Sequence, residues 1–445
     1  MTKEQAILNF MDELKSFQLH GFILTLGEQT LAEGYWAPFN SSMPHRLYSV
    51  SKSVTALGIG LLLKDGRLKL DDPVADYFPE WVDTQTHPFI RQCTIRHLLT
   101  MRTCFNRSMY QPLADSDWTK PFFYGEPTHA PGTLFSYDTS ASQVLCALIQ
   151  RVSGTDALSF MQERLFTPLG MRDPKRWLTD AAGVCQGGTG LIMTLRDFAR
   201  LTRFCMSDGQ GLIDTDYLRE ATSHLVDSTE RSGPEERFGY GYYFWQTRHG
   251  FSMYGMGGQM AICVPEKQLA LCTTADLILD QVGVQPIYDA FFRHLAEVDT
   301  LPSDPEDAQR LRRVLEGLRL KPIVAGAESK TVFLPELRGS TRFSRLLIAP
   351  ESIEMTIDGE AHCLPYQSGG WASASFPNSS EACLVTGGWT QPDRFELRCE
   401  LCGDFSCTMK LFVQLNGSAA SVRTVSSFNE FQTGWTGDAW GSVAD

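Results

Sequence analysis

The segment from Ser49 to Leu63 constrains the fold of this chain more than any other feature. A polar start, residues 48–53, leads into a run at 56–63 that is apolar, carries two glycines and stops at Lys64. The run is too short for the roughly 18 apolar residues of a membrane span. It predicts a helix over about residues 51–63, with Ser49 and Lys52 at its head.

Ser49 and Lys52 lie three residues apart, close to one helical turn, so both side chains point to the same face. A serine hydroxyl is a poor nucleophile at neutral pH and needs a base beside it. A lysine amine can take part if burial, a neighbouring cation or a helix N-terminus depresses its pKa. The alternative is a capped helix start, in which Ser49 is the N-cap and Lys52 is solvated.

Composition excludes several classes of protein. The chain has 445 residues, 43% of them hydrophobic and 20% charged, and a formal net charge of −13. It lacks a Lys/Arg-rich run, which disfavours nucleic-acid binding. The N-terminal residues have no apolar leader segment, so we expect a cytoplasmic protein without a membrane span. The twelve cysteines are scattered and are expected to be buried thiols; Cys399-x-x-Cys402, near Cys407, is the only metal-like spacing and has no evident fourth ligand.

The pattern along the chain predicts a helix at 4–17, strands at 21–26 and 30–36, and a mainly helical block at about 75–235. Strands at 240–245, 251–253, 260–264 and 269–274 and a helix at 284–296 follow. We expect residues 1–300 to form one domain, with a split sheet whose halves pair across the helical insertion. Residues 301–330 read as a linker with a short helix at 307–319. Residues 331–445 are expected to be a small all-β domain, with short strands at 331–334, 343–348, 352–357, 395–401, 408–415 and 421–425.

Two further motifs carry chemistry. Tyr137 lies in residues 132–140 (GTLFSYDTS), just before an apolar helix. A tyrosine at a helix entrance can aim its phenol into a cleft and, if cations crowd it, act as a general base. Residues 255–259 (GMGGQ) interrupt a strand region, where glycines allow close approach of another backbone. A strand-edge N–H there can donate to a developing oxyanion. Alone, each motif is also compatible with a core tyrosine and a β-bulge or hairpin turn.

The ordered trio resembles the serine β-lactamase and penicillin-binding protein superfamily, in particular its class C β-lactamase-like branch of esterases, D-peptidases and amide hydrolases. The flanking segments carry the resemblance further: 45–53 (HRLYSVSKS), 64–74 (KDGRLKLDDPV), 95–101 (IRHLLTM) and 166–171 (FTPLGM). It covers about residues 20–297. It implies an α+β fold, a helical domain beside an α/β sandwich with a mainly antiparallel sheet, with the small all-β C-terminal domain outside it.

The resemblance also implies residue roles. Ser49 is the acylated nucleophile, Lys52 its proton partner and Tyr137 the general base that also helps deacylation. The backbone N–H groups of Ser49 and Met256 form the oxyanion hole. The expected substrate contacts are Thr139, Gly255, Gly258 and Gln259. The substrate is a small ester or amide, and no metal or organic cofactor is required.

Two departures from the family pattern bear on the substrate. The usual Tyr-x-Asn or Tyr-x-Ser is Tyr137-Asp138-Thr139, which offers a hydroxyl but not an amide. The third motif usually has a cation two residues before its glycine, and aligning that glycine with Gly255 puts Met253 in its place. We therefore expect a preference for neutral esters or amides over carboxylate-bearing β-lactams and D-peptides. A loop residue, Arg107, Lys120 or Arg248, could instead supply the cation.

Other functions stay open from sequence. One is a true D-peptidase or β-lactamase, another is a catalytically inactive binding or sensing protein on the same scaffold, and a third is an interaction protein whose β domain carries the function. A Ser-His-Asp site using His97, His249 or His294 is disfavoured, because none lies in a nucleophile-elbow context.

Overall fold

The computed structural model describes residues 1–110, 116–280, 283–379, 381–405, 407–427 and 434–444. These residues divide into two compact units. The first comprises Met1–Tyr35, Arg46–Leu277 and Val282–Gly317, and the second comprises Trp36–His45, Ile278–Gln281 and Leu318–Asp445. The sequence-based domain boundaries at residues 300 and 331 stay a prediction.

The described helices all lie in the first unit. In chain order they are Lys3–Glu13 (α1), Val50–Lys64 (α2), Pro88–Arg91 (α3), Ile95–Leu99 (α4), Thr139–Ser153 (α5), Ala157–Met161 (α6), Leu195–Cys205 (α7), Thr215–Ala221 (α8), Gln285–His294 (α9) and Pro305–Glu316 (α10). The block predicted to be mainly helical between residues 75 and 235 contains α3 to α8 in the part that the structure describes. In the same part of the chain, none of the helices combines the length and the apolar character that a membrane span requires.

The strands up to residue 275 begin with a hairpin and end with a meander. They are Leu19–Leu26 (β1), Gln29–Tyr35 (β2), His45–Arg46 (β3), Arg176–Trp177 (β4), Leu191–Met193 (β5), Trp245–Thr247 (β6), Gly250–Gly255 (β7), Gln259–Val264 (β8) and Leu269–Ala275 (β9). Among described residues, six of them form one antiparallel sheet in the order β2-β1-β9-β8-β7-β6. The N-terminal strands thus pair with β9 across the helical block, which confirms the predicted split sheet.

Helix α2 lies at the centre of the first unit. Every residue from Val50 to Leu62 is buried, because apolar side chains fill most of the helix surface and the polar ones, Ser51, Lys52, Ser53 and Thr55, bond to neighbouring segments. Gly58 and Gly60 allow close packing, since a Cβ at Gly58 would meet Ile149 of α5 and a Cβ at Gly60 would meet Tyr217 of α8. Close packing against α5 and α8 therefore fixes the helix on two sides.

One predicted strand is wrong. Residues 240–244 do not extend the sheet, and β6 begins only at Trp245. The backbone turns at this point: Gly241 N–H donates to the carbonyl of Phe244, and Tyr243 has a φ of +63°. The run of aromatic residues predicts a strand, but the left-handed conformation of Tyr243 interrupts an extended backbone.

The second unit is all β in its described residues from 332 onward. Its strands are Val332–Leu334 (β10), Leu337–Gly339 (β11), Arg345–Ile348 (β12), Ser352–Ile357 (β13), Glu360–Pro365 (β14), Ala372–Ser375 (β15), Ala382–Gln391 (β16), Arg394–Leu401 (β17), Thr408–Asn416 (β18), Ala419–Ser426 (β19) and Gly437–Ser442 (β20). Within the described ranges they form sheets in the orders β10-β12-β13-β14 and β11-β20-β19-β18-β17-β16-β15. Alternating burial along β13 and β19 shows that one face of each covers the core, which contains Trp389, Phe395 and Leu411.

In the described part of the chain, which includes all twelve cysteines, the cysteines form no disulfide, and ten of them are buried. Cys399 lies within β17, and among the residues described here His, Cys, Asp and Glu side chains form no group of three that could hold a metal ion. The C-terminal cysteines of the described core therefore act as apolar packing groups.

Candidate active site

Ser49 is the residue before the first turn of α2, and its side chain is partly exposed. The preceding residue, Tyr48, is buried and has a φ of +46°, which is unfavourable for a residue with a large side chain. Strained backbone of this kind persists only where the surrounding structure holds it. Here the Leu47 N–H donates to the Leu191 carbonyl, and the Tyr48 and Ser49 carbonyls accept the first hydrogen bonds of α2.

Lys52 is buried, with 1% of its surface exposed, and so the solvated lysine considered as the alternative from sequence is wrong. Its Nζ lies 3.1 Å from Ser49 Oγ and 2.9 Å from the carbonyl oxygen of Gly188. The amine is therefore fixed by two oxygens, one of which belongs to the candidate nucleophile.

A glycine-rich segment, residues 186–191 (QGGTGL), runs along the first turns of α2. Four side chains hold it: Thr55 donates to Gly187 O, Lys52 to Gly188 O and Arg46 to Thr189 O, and Ser51 Oγ accepts from the Leu191 N–H. The sequence analysis missed this segment. The sequence feature that could have revealed this segment is the run Gly187-Gly188-Thr189-Gly190. Gly187 and Gly188 lie so close to α5 that a Cβ at either position would collide with it.

Tyr137 completes the cluster. Its phenol lies on the side of the Ser49 hydroxyl, and Lys52 Nζ lies 4.8 Å from the centre of its ring. The ring stacks on Trp245 at 5.5 Å with an interplanar angle of 18°. Burial raises the pKa of Tyr137 above its usual value, whereas the Ser49 side chain and the positive charge of Arg231 act in the opposite direction.

Asp138, which follows Tyr137, directs its carboxylate to Ser140 and Thr103. It caps α5 by accepting from the Ser140 N–H at 2.8 Å, and it accepts from Thr103 Oγ1 at 3.2 Å. Burial raises its pKa to about 6, although the hydrogen bonds from Ser140 oppose this. Asp138 therefore serves the helix that positions Tyr137.

Thr139 lies beside Lys52 at the first turn of α5. Its N–H donates to Ser108 Oγ at 2.9 Å. A Cβ built on Gly188 would lie 2.5 Å from Thr139 Cγ2 and 3.3 Å from Lys52 Nζ, so the Thr139 methyl faces the segment that fixes Lys52. The predicted substrate contact is thus near the cluster, with its methyl group turned inward.

The turn between β7 and β8 approaches the nucleophile from the other side. A Cβ at Gly255 would collide with the Leu47 carbonyl, so only glycine permits this approach. Gly257 and Gly258 have φ values of +82° and +96°. In the part of the chain that the structure describes, no hydrogen bond uses the backbone N–H of Ser49 or of Met256. Two free donors therefore lie on the two segments that Gly255 and Leu47 bring together.

Gln259 and Gly258 are both buried in this turn, and their predicted contact with a substrate stays a prediction. The Gln259 side chain is fully buried; its Nε2 donates to Met256 O and Ala275 O, and its Oε1 accepts from the Ala275 N–H. Gly258 faces Ala275 and Leu277, and its carbonyl accepts from Thr273 Oγ1. Both residues hold the turn that carries Met256.

A cation lies at this site, and it is neither Lys120 nor Arg248, two of the loop residues considered from sequence. The guanidinium carbon of Arg231 is 5.4 Å from the ring centre of Tyr137 and 5.6 Å from that of Trp245. Arg248 instead pairs with Glu235 and Asp289, and Lys120 lies over Tyr124. Met253, at the usual position of the cation, is fully buried. Sequence offered no local signal for Arg231, because a loop far along the chain brings it to Tyr137.

The three histidines considered from sequence lie in other places. His97 belongs to the capping box of α4, His294 pairs with Glu13 at 2.7 Å, and the ring of His249 packs against Phe292. Each has a structural contact that accounts for its position.

Comparison with known proteins identifies the family of the chain. The chain belongs to the Beta-lactamase family, whose family model matches residues 21–275. The fold is accordingly the serine β-lactamase and penicillin-binding-protein-like fold, with helices beside an antiparallel sheet and a separate all-β region at the C-terminal end. Members with curated descriptions include hydrolases.

The 6-aminohexanoate-dimer hydrolase of Paenarthrobacter ureafaciens is 24% identical over 203 residues, which are 42% of this chain and 52% of that protein. The esterase EstB of Burkholderia gladioli is 31% identical over 173 residues, 35% of this chain and 44% of that protein. The match thus spans about half the length of these curated relatives. The solved structure of SurE is similar over 98% of this chain and 96% of its own, with a TM-score of 0.54 and 16% identity, which bears on the fold alone.

Proposed function

We propose that the protein is a serine hydrolase that cleaves a small ester or amide through an acyl-enzyme. The observation that carries this proposal is the convergence of three groups: Ser49 Oγ, Lys52 Nζ at 3.1 Å from it, and Tyr137, whose ring centre lies 4.8 Å from Lys52 Nζ. An alcohol, an amine and a phenol gathered in this way form a nucleophile with two nearby groups that can carry its proton.

In the proposed reaction, Ser49 Oγ forms a bond to the substrate carbonyl carbon while its proton passes to Tyr137 or Lys52. The carbonyl oxygen becomes an oxyanion, for which the free N–H groups of Ser49 and Met256 are the proposed donors. The bond to the leaving alcohol or amine breaks as that group receives the proton. Water then attacks the acyl-enzyme with Tyr137 as base, and the acid and free Ser49 are released.

An active-site probe tests the proposal directly. A fluorophosphonate reacts with a serine whose hydroxyl is activated, and we expect it to label the protein at Ser49, as located by peptide mass spectrometry. Ser49→Ala should lose the label. Ser136→Ala is the matched control, because Ser136 precedes Tyr137 but has no role in the proposed reaction. Absence of labelling in the native chain would support the inactive binding or sensing protein instead.

Turnover distinguishes the hydrolytic alternatives. We expect an initial burst and steady release of p-nitrophenol from p-nitrophenyl esters. A chromogenic cephalosporin turned over with an equal kcat/KM would favour a β-lactamase, and release from D-amino-acid amides alone would favour a D-peptidase.

A further inference from the structure

Strand β7 offers no positive charge to a substrate. Its residues are Gly250–Gly255, and none is Lys, Arg or His. Met253 is fully buried in the core, and the neighbouring Tyr254 presents a phenol. Any group that recognises an anion beside Ser49 must therefore come from another element.

Arg231 comes from the loop after α8 and lies against the aromatic residues of the site. Its guanidinium is close to both members of the Tyr137–Trp245 stack, at 5.4 and 5.6 Å from the ring centres. The Tyr137 ring lies between this cation and Lys52, whose Nζ is 4.8 Å from the ring centre and 3.1 Å from Ser49 Oγ.

The guanidinium is held at only one of its nitrogens. Nε lies 2.9 Å from Glu236 Oε2, and no hydrogen bond among the described residues uses the two terminal nitrogens. The Arg231 side chain is 37% exposed, whereas that of Glu236 is 18% exposed. Glu236 thus orients the guanidinium through Nε and leaves the two terminal nitrogens of Arg231 open. These two nitrogens can donate two parallel hydrogen bonds to one carboxylate.

Three other arginines of this unit are held by different partners. Arg248 pairs with two carboxylates, and Arg96 contacts Asp71, Glu220 and the Tyr242 hydroxyl. Arg102 donates to Thr100 Oγ1 and to Gly132 O, and it lines a separate cavity of about 610 Å³ with His129, Phe135 and Ser136.

We propose that Arg231 is a specificity-determining residue that binds an anionic group of the substrate, so that the preferred acyl donors carry a carboxylate a few bonds from the scissile carbonyl. Glu236 is the positioning residue for that guanidinium. This inference rests on the proposed function of Ser49, and it replaces the preference for neutral substrates expected from Met253.

A matched pair of substrates tests the proposal. Mono-p-nitrophenyl glutarate carries a carboxylate on its acyl chain, and p-nitrophenyl butyrate has a comparable but neutral chain. The measured quantity is the ratio of their kcat/KM values. Arg231→Gln should lower this ratio about 10- to 100-fold, the effect of losing a hydrogen bond between charged groups. Arg231→Lys should recover only part of it, because an ammonium lacks the planar fork.

Two further variants sharpen the test. Glu236→Gln keeps an acceptor for Nε but removes a negative charge, and so it should raise the ratio. Arg102→Gln removes a nearby cation that the proposal does not use, and it should leave the ratio within about twofold. An unchanged ratio in Arg231→Gln, or a drop confined to Arg102→Gln, would overturn the assignment. Fluorophosphonate labelling of the native chain and of each variant distinguishes the two proposals. If the native chain is not labelled at Ser49, the proposed function is refuted. If labelling is normal and Arg231→Gln leaves the ratio of kcat/KM values unchanged, only the role of Arg231 is refuted.

Discussion

The carbonyl oxygen of Gly188 lies 2.9 Å from Lys52 Nζ and, through it, fixes the distance of 3.1 Å between that amine and the Ser49 hydroxyl. Gly188 can approach so closely because it has no side chain: a Cβ there would meet Ser142 Oγ and Thr139 Cγ2. The position of a candidate catalytic amine is therefore set by a glycine 136 residues away in sequence.

Gly188→Ala should impair activity more than stability. The added methyl group must displace the glycine-rich segment or Lys52, and a shift of about 1 Å at a reacting group can cost about 100-fold in rate. Overpacking itself should cost about 1–3 kcal/mol in the free energy of unfolding. The assays are kcat/KM on a p-nitrophenyl ester and urea denaturation.

Gly183→Ala is the matched control for Gly188→Ala. Gly183 lies between β4 and β5 with a φ of +77° and has no atom within 4 Å of its Cβ position. We expect a stability loss of about 1 kcal/mol from the left-handed backbone with kcat/KM nearly unchanged. Equal loss of activity in both variants would mean that the effect of Gly188→Ala reflects stability alone.

Tyr137→Phe should reduce kcat about 100- to 10,000-fold, the range for removal of a general base, while the ring keeps its stack on Trp245. The melting temperature should change little, because the substitution preserves the aromatic packing. Tyr240→Phe provides the comparison, since Tyr240 packs against the same Trp245 ring. If Tyr137→Phe keeps its activity, Tyr137 is not the general base, and Lys52 would be the base instead.

The rate should rise with pH through the neutral range. Burial raises the pKa of Tyr137, so only a small fraction of the side chain is phenolate, the form that acts as a base, near pH 7. This fraction increases as the pH rises. We expect log kcat/KM to climb from pH 7 to pH 9 without a plateau. Arg231→Gln removes a charge that lowers this pKa and should shift the profile further toward alkaline pH. A plateau reached at pH 7 would exclude a phenolate with a raised pKa as the base.

Asp138→Asn should alter how stability depends on pH. Burial raises the pKa of Asp138 to about 6 in the folded chain, against about 3.9 when unfolded, so the folded form binds more protons between pH 4 and pH 6. The native protein therefore loses stability as pH rises through that window, by about 3 kcal/mol from this group. Asparagine also caps helices well and does not ionise. The unfolding free energy of the variant, relative to the native chain, should thus increase from pH 4 to pH 7.

Asp156→Asn is the control of opposite sign. Asp156 caps α6, and although burial raises its pKa, hydrogen bonds from Ser159 outweigh that effect and leave the pKa below its usual value. Its carboxylate stabilises the fold above the unfolded pKa, and that contribution is lost as pH falls through the folded pKa. Relative to the native chain, the variant should therefore be less stable at pH 7 than at pH 3. The same trend in both Asn variants would contradict the raised pKa of Asp138.

Local patterns predicted much of the fold. The polar-to-apolar change after Ser49 located α2, and alternation of apolar residues located strands such as β13 and β17. The same reasoning failed at residues 240–244, where aromatic residues suggested a strand but tertiary contacts impose a turn. Here Ser53 Oγ donates to the Tyr243 carbonyl, and a Cβ at Gly241 would collide with the Ala221 carbonyl.

The site was predictable where its chemistry is local in sequence and not where it depends on packing between distant segments. Ser49 and Lys52 share one helical turn, so their contact follows from spacing. Gly188 and Arg231 reach the site from the helical block and a later loop. The polar side chain of Gln259 suggests a substrate contact, but its buried amide forms hydrogen bonds with the backbone of Met256 and Ala275.

The complete burial of α2 has a consequence for how this scaffold can change. A helix packed on every side from Val50 to Leu62 tolerates little substitution, so we expect selection for a new activity to leave the helix that carries Lys52 unchanged. The loop of Arg231 and Glu236 has no such restriction, since both side chains reach solvent. Directed evolution toward new acyl donors should therefore accumulate changes at residues 227–237 and leave the helix intact.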